Sequence, residues 1–161
     1  PLFRAALRQA AQDAVGSTLL LHEAGTLEEV LATLDATPDI DLVLLDVKSG
    51  DEETYKKVTG RSLAPTITFG DRLAAKGIEI WARFVLVPDL TDAPENVHNV
   101  ARIIERWGSV SRVEVLPFHQ MGRDKWAALG RDYQLGDTQP PTPALTERVR
   151  DQFRAHGLTT Y

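Results

Sequence analysis

The chain has 161 residues, of which 43% are hydrophobic and 25% charged, a size and composition that suit one compact domain over residues 1–161. The formal net charge of −5 is spread without a basic run, which argues against a nucleic-acid partner. No apolar stretch approaches the roughly 20 residues that span a bilayer, and the first residues lack the order of a signal peptide. We therefore expect no membrane association and a cytoplasmic location.

Cysteine is absent from the sequence, so the chain can form neither disulfides nor thiolate metal sites. The four histidines are dispersed and give no zinc-ligand spacing. The chain starts at Pro1 and its single methionine is Met121. Two readings of this start stay open: a small protein whose initiator methionine was trimmed, or a piece of a longer chain.

The predicted elements begin with a helix over residues 2–14, where apolar residues recur at helical spacing. An apolar run over Thr18–Leu21 indicates a buried strand. Thr26 followed by Glu29 has the form of a capping box and predicts a helix that ends before Pro38.

The next strand is predicted over residues 41–48, which are apolar at successive positions, as expected of a strand covered on both faces. After an acidic turn at residues 51–53, a helix is predicted over Leu63–Ala75. Ile78–Val87 follows as a strand.

The C-terminal part continues the alternation. Asp92 and Glu95 bracket Pro94 in the pattern of a capped helix start, Val113–Phe118 forms the last predicted strand, and Thr142 begins a closing helix.

About four strands separated by helices predict a parallel α/β sheet with right-handed crossovers. Four strands are too few to close a barrel. The strand Thr18–Leu21 is thereby expected to be an unpaired edge, through which the chain can associate with itself.

Ligands of parallel α/β folds bind where the strands end, and charged residues follow the predicted strands at those positions. Asp46 and Lys48 are two apart on a strand and therefore share a face. An ion pair that satisfies both is one interpretation, and a ligand site is the other. Arg83 lies within an apolar strand and needs an anionic partner or ligand, while His119 ends the last strand. His22 and Glu23 follow the first strand.

Several segments in one order resemble the family of pyruvate formate-lyase activating enzymes. They cover nearly the whole chain: Leu45-Asp46-Val47-Lys48, Val58-Thr59-Gly60, residues 80–88, residues 113–119, residues 125–133 and Pro140-Pro141.

The resemblance implies the C-terminal part of a partial (β/α)6 TIM-like barrel and a radical S-adenosylmethionine (SAM) enzyme. Such enzymes hold a [4Fe-4S] cluster through a Cys-x3-Cys-x2-Cys motif and use SAM, through a 5′-deoxyadenosyl radical, to form a glycyl radical on a partner such as pyruvate formate-lyase. Because the chain has no cysteine, we expect no cluster in it.

By the same resemblance, Lys48 matches the lysine that meets the SAM carboxylate and Asp46 an aspartate beside it that helps hold a monovalent cation. Arg83 and His119 match the arginine and histidine around SAM. His22 and Glu23 replace an aspartate and a threonine of the cation site. Asp89 replaces a glycine after Pro88, which predicts a backbone less free to adopt a positive φ.

These observations support two main hypotheses. The chain is the C-terminal portion of a glycyl-radical-enzyme activase, inactive alone, or it is a non-catalytic module that keeps the barrel face to bind a ligand or partner. An ordinary α/β enzyme whose strand-end charges serve another substrate is the third possibility.

Overall fold

The structure is a computed structural model, and it describes residues 26–37 and 39–161. The chain divides into two compact units, Pro1–Asp39 and Ile40–Tyr161, which are described separately. The helix predicted over residues 2–14 and the strand predicted over Thr18–Leu21 lie outside the described residues. The single domain over 1–161 stays a prediction.

The described part of the first unit contains helix α1, Leu27–Ala36. Thr26 is its N-cap, and its Oγ1 accepts a hydrogen bond of 3.2 Å from the backbone N–H of Glu29. Acidic residues in the first turn face the positive end of the helix dipole. The predicted capped start and the end before Pro38 are both confirmed.

The second unit is built on a three-stranded sheet of order β1-β2-β3, with every pair parallel. The strands are β1, Leu42–Asp46; β2, Glu79–Leu86; and β3, Val110–Pro117. The predicted parallel α/β fold is therefore confirmed, with three of the four predicted strands inside the described residues.

The helices of this unit are α2, Glu52–Thr59; α3, Ala64–Ala75; α4, Pro94–Glu105; α5, Arg123–Ala128; and α6, Pro143–Ala155, with a 3₁₀ turn at Gln120–Gly122. Thr142 Oγ1 caps α6 as predicted, accepting from the Leu145 N–H at 3.1 Å.

Two helix starts differ from the sequence prediction. The acidic residues 51–53 begin α2 instead of forming only a turn, because Asp51 Oδ1 accepts from the Thr54 N–H at 2.8 Å and caps the helix. At α4 the N-cap is Ala93, which makes no side-chain capping bond. The N–H group at the first position of a helix has no partner within the helix, so a proline, which lacks that group, fits there. Pro94 therefore starts α4 without a side-chain cap.

The core lies between the sheet and the helices. Along β2, side chains alternate, and Ile80, Ala82, Phe84 and Leu86 are fully buried. Phe84 meets Phe153 of α6 edge to face, with ring centroids 5.7 Å apart. The other face of β2 carries Trp81 and Arg83, which are only partly buried. The sheet therefore has one dry face and one face that bears charge.

The last residues cover the outer edge of β3. Thr160 pairs in parallel with Val113, and the Tyr161 N–H donates to the Val113 carbonyl at 2.9 Å. Within the residues that the structure describes, β1 has a strand on one side only. No helix in this part of the chain is both long and apolar enough to cross a membrane.

Candidate functional site

A row of alternating charge crosses the partly exposed face of the sheet. Asp46 is the register partner of Arg83, and Arg83 is the partner of Glu114. Because register partners on parallel strands project from the same side, one carboxylate, one guanidinium and a second carboxylate lie side by side. The row lies at the carboxyl end of β1, where ligands of parallel folds bind.

Asp46 is the centre of two ion pairs. Its Oδ2 lies 3.2 Å from Lys48 Nζ, and its Oδ1 lies 2.9 Å from Arg83 Nε. The three side chains are each about one third exposed (34–35%). The Nε–H of Arg83 does not point at the oxygen, so this contact is an ion pair without hydrogen-bond geometry. The cluster is held by charge and is open to a ligand.

Lys48 reaches this face because the chain stays extended beyond the end of β1. The Val47 N–H donates to the Arg83 carbonyl at 3.0 Å, which continues the ladder by one residue. Val47 and Ser49 are fully buried toward the helices, so Lys48 between them projects to the side of Asp46. The shared face predicted for Asp46 and Lys48 is thus observed.

Arg112 lies in the neighbouring row of the same face of the sheet, two residues before Glu114 in β3. Its guanidinium carbon lies 4.1 Å from the ring centroid of Trp81 and 4.3 Å from that of Tyr161. Its Nη1 lies 3.3 Å from Glu114 Oε1. Neither Arg112 nor Glu114 was predicted from the sequence as part of the site. Alternation along β3 indicates that these two residues share a face, but only the register with β2 puts them beside Arg83.

His119 lies two residues after the end of β3, at the same edge of the sheet as Lys48, but β3 is on the far side of β2 from β1. Its side chain is exposed, and its Nδ1 accepts from the Met121 N–H at 3.4 Å, which caps the 3₁₀ turn. The structure thus brings together Asp46, Lys48 and Arg83 and places His119 at the same edge. His22 and Glu23 lie outside the described residues.

Asp89, directly after Pro88, has a left-handed backbone with φ of 61°. The turn thus has a positive φ without a glycine, although a residue other than glycine was expected to be less free to adopt it. Aspartate is among the few side chains that adopt this conformation at modest cost, because it bonds locally to the backbone.

A cavity of about 480 Å³ lies beside this turn, within the size range of small-ligand sites. Its walls come from α2, from the loop after β2 and from the segment after β3. Lys57 and Asp89 contribute charge, and Trp126 and Tyr133 contribute aromatic surface, with ring centroids 6.0 Å apart. This cavity could not be predicted from the sequence, because its walls come from three separate segments.

No family model matches the chain. Individual proteins do match it. The pyruvate formate-lyase 1-activating enzyme of Escherichia coli (strain K12) is 34% identical over 117 residues, which cover 73% of this chain and 48% of that protein. The pyruvate formate-lyase-activating enzyme of Streptococcus mutans is 39% identical over 121 residues, covering 75% and 45%. The chain spans about half the length of the curated relatives it matches.

Two solved structures share the fold. A domain of the pyruvate-formate lyase-activating enzyme from Bacteroides vulgatus superposes with a TM-score of 0.64 at 17% identity and covers 98% of this chain and 86% of that one. A radical SAM methyltransferase from Sphaerobacter thermophilus gives 0.59 at 13% identity, covering 85% and 37%. These likenesses are consistent with the predicted partial TIM-like barrel. The sequence matches, and not these two structures, place this chain in the family of pyruvate formate-lyase activating enzymes.

Proposed function

We propose that this chain forms the wall of a SAM site in a radical SAM activase that generates a glycyl radical on pyruvate formate-lyase or a related enzyme. The observation that carries the proposal is the cluster of Asp46, Lys48 and Arg83 at the carboxyl edge of the sheet. His119 completes the proposed set at the same edge.

The charges of this cluster are complementary to the amino-acid end of SAM, which carries one carboxylate and one ammonium group. Lys48 and Arg83 are the cations that a carboxylate needs, and Asp46 is an anion for the ammonium. Each of these side chains is partly exposed. A ligand can therefore replace the internal ion pairs at little cost, because partly exposed pairs contribute only about 0–1 kcal/mol.

Asp46 is also the residue that we propose for a monovalent cation. Both of its oxygens already face a basic side chain, so a cation has to compete with Lys48 and Arg83. Among the described residues, no group of three or more histidine, aspartate or glutamate side chains is arranged to hold a metal ion.

The residues of this chain do not fit the iron–sulfur cluster of the activase family. Such clusters are bound by cysteine thiolates, and the sequence has no cysteine. A cluster beside bound SAM would supply the radical chemistry, and Asp46, Lys48 and Arg83 would hold the amino-acid end of SAM. We propose that this chain contributes binding and orientation of SAM to that chemistry and is inactive alone.

A binding module without catalysis is the second candidate, and the cavity favours it. Met121, Trp126 and Leu129, in the segment after β3, are 81%, 41% and 71% exposed. Apolar exposure beside a cavity is typical of surfaces that receive a partner. If the chain is part of an activase, we propose that this segment contacts the glycyl radical enzyme. If the chain is a binding module, this segment is the main binding site.

The test is a titration of the ¹⁵N-labelled chain with SAM and with S-adenosylhomocysteine, followed by NMR. We expect shifts at residues 46–48 and 83, and a measurable rise in the Kd for Lys48→Ala and Arg83→Ala. Lys57→Ala is the matched control, since it removes the same charge from the cavity instead of the strand edge. If Lys57→Ala abolishes binding and Lys48→Ala does not, the SAM site is refuted and the module reading is supported.

Anaerobic reconstitution with iron and sulfide tests the remaining part of the proposal. We expect the chain alone to take up no cluster and to cleave no SAM. Cluster absorbance from this chain would contradict the proposal that it supplies no cluster ligands.

A further inference from the structure

The loop after β1 is seated directly on helix α4. Ser49 is fully buried. A Cβ on Gly50 would lie 2.4 Å from the backbone nitrogen of Val100 and 2.5 Å from the carbonyl carbon of Asn99, so only glycine allows this approach. The two residues that follow Lys48 are thus fixed on the helix backbone.

Asn96, in the first turn of α4, fixes the same loop by hydrogen bonds. Its side chain is almost fully buried at 6% exposure. Its Oδ1 accepts from Ser49 Oγ at 2.7 Å and from the Gly50 N–H at 2.9 Å. One amide oxygen therefore accepts from two donors of the loop that follows Lys48.

The other end of the same amide holds the loop after β2. Asn96 Nδ2 donates to the Thr91 carbonyl at 2.7 Å. Thr91 Oγ1 in turn accepts from the Val87 N–H at 2.9 Å and donates to the Val85 carbonyl at 3.0 Å. Asn96 thus joins the loop that follows Lys48 to the loop that follows β2, the strand that carries Arg83.

We infer that Asn96 is a positioning residue for the proposed SAM site, setting Lys48 at a fixed place relative to Arg83. The inference rests on the proposed function. Two cations bind one carboxylate well only when their separation is fixed before the ligand arrives. The buried polar links through Asn96 supply that fixed separation, and no other described side chain bonds to both loops.

The experiment compares Asn96→Ala with Leu73→Ala in the full chain. Leu73 is fully buried, and its carbonyl accepts from the Ile78 N–H beside the start of β2, at the opposite end of the strand from the site. Both variants remove buried contacts, so both are expected to lose stability. We expect about a tenfold rise in the Kd for S-adenosylhomocysteine for Asn96→Ala only. Ser49→Ala removes one of the hydrogen bonds to Asn96, and its Kd is expected to lie between those of the two variants.

A double-mutant cycle with Lys48→Ala identifies the route of the effect. If Asn96 acts through Lys48, Asn96→Ala adds nothing to the loss of affinity already caused by Lys48→Ala. Equal affinity losses for Asn96→Ala and Leu73→Ala, or full additivity with Lys48→Ala, would overturn the inference.

A second readout needs no ligand and separates this inference from the proposed function. Backbone ¹⁵N relaxation at residues 48–50 is expected to show new mobility in Asn96→Ala and none in Leu73→Ala. If the wild-type chain fails to bind SAM and this mobility still appears, the proposed function fails and the positioning of Lys48 stands. Unchanged order at residues 48–50 refutes the positioning whatever the ligand does.

Discussion

Asp46 and Arg83 are register partners on neighbouring parallel strands, and Asp46 Oδ1 lies 2.9 Å from Arg83 Nε. Lys48 Nζ approaches the other oxygen of the same carboxylate, at 3.2 Å. Asp46→Asn leaves these two cations facing one another without an anion between them. We expect it to lower the free energy of unfolding by about 0.5–1 kcal/mol at low salt. The loss should shrink as added salt screens the repulsion.

Urea denaturation at two ionic strengths measures this difference. Asp132→Asn, at an exposed site, is the control and is expected to change little at either ionic strength. A loss for Asp46→Asn that is independent of salt contradicts the charge-based account of the cluster.

Gly70 in α3 packs against the ring of Trp107. A Cβ at this position would come within 2.1 Å of a ring carbon, and both residues are buried. Gly70→Ala therefore has to displace the indole, and we expect a loss of about 1–3 kcal/mol. Gly108→Ala is the matched control, because a Cβ there meets nothing within 4 Å. Thermal unfolding of both variants tests the prediction, and equal Tm values for the two contradict it.

The surroundings of Asp71 predict that the free energy of unfolding depends on pH. Burial raises the pKa of Asp71, but the hydrogen bonds from Arg106 Nη2 and Trp107 Nε1, at 2.7 and 2.8 Å, outweigh it and lower the pKa below the ordinary value of 3.8. A carboxyl whose folded pKa is depressed stabilises the fold above its unfolded value and loses that contribution as the pH falls through the folded one.

We therefore expect the free energy of unfolding to fall as the pH drops below about 4, and this fall to be smaller in Asp71→Asn. Fluorescence of buried Trp107 reports on the same contact. Asp151→Asn, on the exposed surface of α6, provides the comparison for a general loss of carboxylates. An identical acid profile in Asp71→Asn and the wild type rules this contribution out.

The sequence predicted the elements wherever local signals act alone. Thr26 and Thr142 cap their helices through bonds three residues away, and such bonds are visible in a linear pattern. The pairing of Asp46 with Lys48 was also predictable, because alternation along one strand places them on one face. Helix α2, which Asp51 caps, was missed because its first turn is polar and carries no apolar stripe.

What sequence could not predict depends on register between distant segments. Glu114 joins Arg83 only because β3 pairs with β2 at one particular offset, with an irregularity between Ile80 and Trp81. Asn96 reads as an ordinary polar residue in a helix, and its role becomes visible only when α4 meets the loops after β1 and β2. Long-range packing sets both relationships, and no short motif encodes them.

Asp89 provides a test of backbone strain. With φ at 61°, a glycine removes the cost of the left-handed conformation but raises the entropy of the unfolded chain. We expect Asp89→Gly to change the free energy of unfolding by less than about 0.5 kcal/mol, and Asp89→Val to lower it by about 1–2 kcal/mol. Denaturant titrations of the two variants decide this, and a Val variant as stable as the Gly variant contradicts the left-handed turn.

The stacking of Arg112 between Trp81 and Tyr161 links β2, β3 and the end of the chain. Guanidinium is planar and can lie against two rings while its edge pairs with Glu114, whereas an ammonium on a flexible stem cannot do all three. We therefore expect Arg112→Lys to lower the free energy of unfolding by about 1 kcal/mol, although the charge is kept. Arg102→Lys, at an exposed position of α4, is the control and should change stability little.

The decisive comparison is made in the background of Tyr161→Ala, where one ring is gone and the cost of Arg112→Lys should fall by about half. An undiminished cost in that background means that the Tyr161 ring contributes nothing to holding Arg112.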